Sequence, residues 1–241
     1  MLTEPVANNL RVVLVAARNP LNIGAAARAM SNFGFLRLRV VNSYDVSFRE
    51  ARSAVGAPGV LKNAEEFPTV AEAVADCGLV VGTTAARARH LEHPLHRLDT
   101  GGELIRARLA TEGVALLFGS EKRGLSNEDL SYCHWLMRIP TREAHGSMNL
   151  GQAVAVCLYE LIRAEKEAML PAPAGMAGSA ALERMTMALL DALGKSGYTK
   201  PGTEVATEEK SRRLIRRMAL SEEDAELWTG MLGKMRMNLE R

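Results

Sequence analysis

Three stretches of the sequence combine residue types that do chemistry at spacings that keep them together. In residues 19–34, NPLNIGAAARAMSNFG, a row of alanines suited to close helix packing carries Asn22 and, six residues on, Arg28. Arginine stays protonated at neutral pH and pairs with phosphate or a developing oxyanion through parallel N–H groups; a salt bridge at a protein surface is the structural alternative. Residues 119–126, GSEKRGLS, follow an apolar run and hold two glycines at phosphate-loop separation, but Leu125 stands where the lysine of such a loop would reach the β- and γ-phosphates. A nucleoside triphosphatase is thereby disfavoured, and with no GxGxxG a dinucleotide site has no support. A glycine turn followed by an acid, here Glu121, at the end of a strand still suits a ligand with hydroxyls or amines, although purely structural turns look alike. In residues 139–153, IPTREAHGSMNLGQA, a strand end and a polar loop lead to Ser147 and Asn149 at a helix start. Capping of that helix by Ser147 is the alternative to chemistry there, and the absence of a GxSxG elbow leaves a serine hydrolase unsupported.

Two further clusters carry charge or metal-ligand types. HLEHPLH (90–96) spaces three histidines evenly, but Pro94 interrupts any helix that would align them and no carboxylate or cysteine set completes a ligand pattern, so no metal is expected. The flanking Arg87, Arg89 and Arg97 make this long connection a candidate for phosphate or sugar contacts. Near the C-terminus, Lys210, Arg212, Arg213, Arg216 and Arg217 crowd together, either as a solvated face or as a phosphate-binding one.

These residues need a scaffold, and the apolar pattern supplies one. Near-continuous apolar runs at 11–17, 36–42, 78–84, 113–119 and 134–140 predict strands buried on both faces, as in a parallel sheet covered by helices. Helical patterns fit at 22–33, about 47–54, 69–76, 101–111 and after Ser126, with Asp129 completing a cap signature. A last helix of this unit is expected from about Ser147 to Met169, with Leu150, Val154, Cys157, Leu158 and Leu161 as its apolar stripe. The alternation predicts an α/β domain over residues 1–169. The stretch LPAPAGMAGSAA at 170–181 is expected to be a linker, and residues 182–241 a small extension of three helical segments that is marginal alone and packs on a partner or ligand.

Composition sets the outer limits. The 241 residues are 47% apolar and 24% charged with a net charge of +2, values of an ordinary globular protein. No apolar run reaches the roughly 18 residues needed to span a bilayer, and the first ten residues lack a signal-peptide pattern, so a cytoplasmic protein is expected. Cys77, Cys133 and Cys157 are odd in number and widely spaced, which fits small buried residues rather than disulfides or a zinc site. Of the 30 basic residues 23 are arginine, a bias that suits phosphate binding but also follows from a GC-rich genome.

Taken in order, NxGAxxR (22–28), LFGSExxGLS (117–126) and IPTxxxxxSMNLGQA (139–153) resemble the three signature motifs of the SPOUT superfamily of RNA methyltransferases, and within it the TrmH-like 2′-O-ribose methyltransferases. The resemblance covers about residues 10–165, and the tail RRLIRRMALSEEDAELWTGML is similar to the C-terminal extension of tRNA-modifying members. It implies a parallel-sheet fold with a C-terminal trefoil knot, S-adenosylmethionine as methyl donor, tRNA as substrate with cytidine or uridine at nucleotide 32 as target, and a homodimer with both chains at each site. Carried over by position, Thr83, Gly119, Glu121, Ile139 and Met148 match cofactor-binding positions, and Asn22, Arg28, Ser147 and Asn149 match the polar residues around the reacting hydroxyl. The alanines of the first motif would then pack against the other subunit, and Gly151, where the family more often has alanine, is expected to loosen the helix start. Arg87, Arg89, Arg213 and Arg216 are the expected RNA contacts. Methylation of ribosomal RNA and a non-catalytic RNA-binding role are the alternatives.

Overall fold

The computed structural model describes residues 4–41, 56–85, 92–142, 146–163 and 175–239. Seven strands occur among them: β1 (Leu10–Val15), β2 (Arg37–Val41), β3 (Glu65–Phe67), β4 (Leu79–Thr83), β5 (Leu95–Arg97), β6 (Val114–Phe118) and β7 (Trp135–Arg138). The helices are α1 (Glu4–Ala7), α2 (Pro20–Asn32), α3 (Pro58–Lys62), α4 (Val70–Ala73), α5 (Leu98–Leu109), α6 (Asn127–Ser131), α7 (Leu150–Arg163), α8 (Ser179–Lys195), α9 (Glu204–Arg217) and α10 (Glu222–Leu239). The helix expected near 47–54 lies outside the described residues.

All strand pairs are parallel and the order is β3-β2-β1-β6-β4-β7-β5. Alternation along the central strands divides the core in two. Val12, Leu14, Leu116 and Phe118 face α2, α5 and α7, whereas Val13, Val15, Ala115 and Leu117 face α4 and α6. Burial on both faces explains why β1 and β6 are apolar at nearly every position. Cys77, Cys133 and Cys157 are buried thiols within this core, and burial pushes Cys133 up to about 12.

The alanine face of α2 meets α7 of the same chain rather than only another subunit: Ala26, Ala27 and Ala29 are buried there. Gly151 does not loosen α7 but permits this approach, since a Cβ at that position would lie 2.6 Å from the Cβ of Ala25. Gly34, at φ 80°, ends α2 as expected.

The C-terminal unit starts earlier than the expected boundary. Ala177 is already buried and α8 begins at Ser179, so only part of 170–181 is left to serve as a connection. Its three helices enclose Ala181, Leu182, Met185, Ile215, Ala225 and Leu232. The unit docks on the sheet domain, with the Ser179 amide donating to the Cys77 carbonyl at 2.9 Å. Among the described residues no helix is long and apolar enough to cross a membrane.

Candidate active site

The turn after β6 is closed by its glycines. Gly124, at φ 69°, donates its amide to the Ser120 carbonyl at 2.8 Å, and a Cβ on Gly119 would lie 2.0 Å from the Gly124 carbonyl carbon, so neither position admits a side chain easily. Leu125 is buried beneath the turn, which accounts for an apolar residue where a phosphate loop would carry lysine. Ser126 and Asp129 then form the expected reciprocal cap of α6.

This turn borders a cleft of about 340 Å³ at the carboxyl edge of the sheet. Thr83, Gly119, Glu121, Ile139 and Met148, the five residues matched to cofactor positions, all line it, as does Ser147. The Thr83 hydroxyl donates to the Leu117 carbonyl at 2.9 Å, which ties the end of β4 to β6 at the cleft floor. Leu130, Met137 and Leu150 add apolar wall, while Ser147 is exposed and makes no hydrogen bond among the described residues. A volume near the lower end of small-ligand sites, an apolar wall and a rim of main-chain and hydroxyl groups fit a nucleoside-sized cofactor.

A chain of amide and carboxylate side chains starts from Glu121 on the cleft lining. Glu121 accepts from Asn22 Nδ2 at 2.9 Å and from the backbone amides of Asn19 at 3.3 Å and Arg18 at 3.4 Å. Asn22 Oδ1 in turn accepts from Asn149 Nδ2 at 2.9 Å, and Asn149 Oδ1 accepts from the amides of Gly151 at 2.9 Å and Gln152 at 3.3 Å. Burial pushes the Glu121 carboxyl up, but the bonds from Asn22 and the two amides outweigh it and hold the group below its ordinary value. The cap of α7 is therefore Asn149, not Ser147, and the helix starts at Leu150. The signal was available, because Leu150 opens the apolar stripe and a cap residue directly precedes such a start. Sequence reasoning missed the Arg18 and Asn19 amides, which leave no mark of type or spacing.

Arg28 is not brought to this cluster. Six residues beyond Asn22 on α2, it stands about 240° round the helix and about 9 Å along it. It is exposed, does not line the cleft, and makes no hydrogen bond or ion pair among the described residues.

The basic cluster of the tail is a docking device. Arg216 and Arg212 are each only 2% exposed; Arg212 pairs with Glu183 at 3.1 Å and with Glu208, donates to Ser131 Oγ at 3.1 Å, and stacks over Tyr132 at 4.2 Å. Arg216 shares Glu183 at 3.3 Å, and Arg213 pairs with Glu92 at 2.9 Å and Glu209 at 3.6 Å. The expectation that Arg213 and Arg216 contact RNA is thus corrected: their charges are spent holding α9 against α6 and the segment before β5. Arg87, Arg89 and His90 lie outside the described residues. His93 is buried, and burial with the nearby Arg213 and Arg217 cations pushes it down to about 4, while His96 packs edge-on against Trp135 at 5.0 Å.

Fold and site together define an α/β protein with a cleft of small-ligand size at its sheet edge beside a polar cluster drawn from three distant stretches. Residues 9–159 match the SpoU rRNA Methylase family, and the chain belongs to it. It is 32% identical over 231 residues to the tRNA (cytidine/uridine-2′-O-)-methyltransferase TrmJ of Sodalis glossinidius, covering 93% of this chain and 90% of that protein. An uncharacterized tRNA/rRNA methyltransferase of Haemophilus influenzae is 39% identical over 154 residues, 64% of this chain and 62% of that one. The crystal structure of TrmJ from Z. mobilis superposes with a TM-score of 0.82 at 32% identity, covering 93% of this chain and 98% of that one.

Proposed function

We propose that this protein transfers a methyl group from S-adenosylmethionine to the 2′-hydroxyl of a cytidine or uridine ribose in tRNA, at nucleotide 32 of the anticodon loop, in the cytoplasm. The observation that carries the reading is the Glu121–Asn22–Asn149 chain, which joins all three motif stretches and begins at Glu121 in the cleft lined by Thr83, Gly119, Ile139 and Met148. Family membership and the names of the near full-length relatives support it. When bound, the cofactor supplies an electrophilic methyl on its sulfonium. The chain must align the acceptor oxygen, and alignment alone is worth up to about 7 to 11 kcal/mol of barrier. Ser147, exposed at the cleft, orients the ribose hydroxyl, and Asn22 and Asn149, each locked by the other, fix the sugar.

Arg28 completes the site from a second copy of the chain in a homodimer. Its distance from Asn22 on α2 and its unpaired, exposed state support that arrangement. There it holds the phosphate next to the target ribose and stabilises developing alkoxide charge. Arg87 and Arg89 extend the phosphate contacts. Residues 1–169 form the catalytic domain, with the trefoil knot implied by the motifs, and the three-helix extension is a separate appended unit. Calorimetry with S-adenosylmethionine tests the reading: binding at one site per chain is expected, and no detectable heat would favour the non-catalytic RNA-binding alternative.

A further inference from the structure

A second cleft, of about 930 Å³, adjoins the first across the 120–124 turn. It opens where β1 and β6 run side by side and the chain leaves them in opposite directions. From β1 it passes through α2 to β2; from β6 it passes through α6, beyond β4, to β7. The two helices lie on opposite faces of the sheet, since α2 packs with Leu14 and Phe118 and α6 with Val15 and Leu117. Such a switch point leaves a crevice outside the carboxyl ends of the strands, and open α/β sheets bind ligands there. Ala16, on the crevice wall, holds φ 52°, a conformation uncommon for residues with a Cβ.

The first cleft, at about 340 Å³, has room for one small ligand, so an acceptor nucleotide bound with it would lie outside it, and the crevice shares with it the wall formed by Glu121, Lys122 and Arg123. Resting on the methyltransferase reading, the geometry points to the β1/β6 crevice as the seat of the target nucleobase, a pyrimidine turned out of its RNA strand, with Glu128 as the residue that reads it. A base seated there leaves its ribose at the shared wall, where Asn22 and Glu121 meet. Among the described residues the crevice is lined mostly by polar and charged side chains and by no aromatic ring, groups that would contact the base along its edges. Glu128 is exposed on its rim and its carboxylate makes no hydrogen bond or ion pair among the described residues, whereas the neighbouring Asp129 is engaged by Ser126. A carboxylate accepts from the exocyclic amine of cytosine and has no proton to offer the O4 of uracil.

The test uses two unmodified tRNA transcripts that differ only by C or U at the position the wild-type chain methylates. Glu128→Ala is expected to lower the cytidine-over-uridine ratio of kcat/KM roughly tenfold. Glu128→Trp, which fills the mouth of the crevice, is expected to lower methylation of both transcripts by more than roughly tenfold while calorimetric binding of S-adenosylmethionine persists. A Glu128→Trp chain that methylates both at the wild-type rate overturns the crevice assignment, and an unchanged ratio in Glu128→Ala overturns the role given to Glu128. A wild-type chain that methylates neither transcript overturns the methyltransferase reading itself.

Discussion

Asn149 does two jobs with one amide: its oxygen caps α7 and its nitrogen holds Asn22. The two separate by substitution. Asn149→Asp keeps an acceptor for the helix but loses the donor toward Asn22, so thermal unfolding should stay near wild type while single-turnover methyl transfer falls about a hundredfold. Asn149→Ala should lose the cap as well, at about 0.5–2 kcal/mol in denaturant unfolding. Glu121 contributes a pH signature. A carboxyl held below its ordinary value stabilises the fold above about pH 4.3 and loses that contribution as pH falls through the folded value, so the Tm gap between wild type and Glu121→Gln should narrow between about pH 6 and pH 3. The types and spacing of Asn22, Glu121, Ser147 and Asn149 were visible in the sequence. The pairing of Asn22 with Glu121 and Asn149 was not, because partners about a hundred residues apart leave no local signal.

At the scale of elements, legibility followed burial. The five central strands announced themselves as apolar runs because both faces are covered, whereas β3 (EEF) and β5 (LHR) sit at the sheet edges, need no apolar side chains, and went unseen. Gly151 shows the limit of local reasoning. On propensity a helical glycine is a weakness, yet here Gly151→Ala should cost about 1–3 kcal/mol by overpacking against Ala25, while Gly230→Ala on α10, with open space around it, should gain about 0.5–1. Urea unfolding of both variants checks the contrast. The arginines of α9 were likewise visible as a cluster, but their acid partner Glu183 lies on another helix. Glu183→Ala leaves buried Arg216 without its acid partner and Arg212 with Glu208 alone, and should cost about 3–5 kcal/mol, read as undocking of the C-terminal helices in hydrogen exchange.

For the whole molecule, the sheet domain and its extension account for one cleft, one adjoining crevice and one polar chain, but leave Arg28 remote from all three. Completion by a second copy makes a specific prediction. Mixing Arg28→Ala chains with Asn149→Asp chains, each inactive alone, should restore roughly a quarter of wild-type activity, because about half of randomly paired dimers are mixed and each of those keeps one intact site. The central claim is the reaction itself, and incubating the protein with labelled S-adenosylmethionine and unmodified total RNA, then mapping the labelled nucleotide, tests it most directly. The account predicts label on the ribose 2′-oxygen of cytidine or uridine in tRNA; label confined to ribosomal RNA, or no transfer at all, would contradict it.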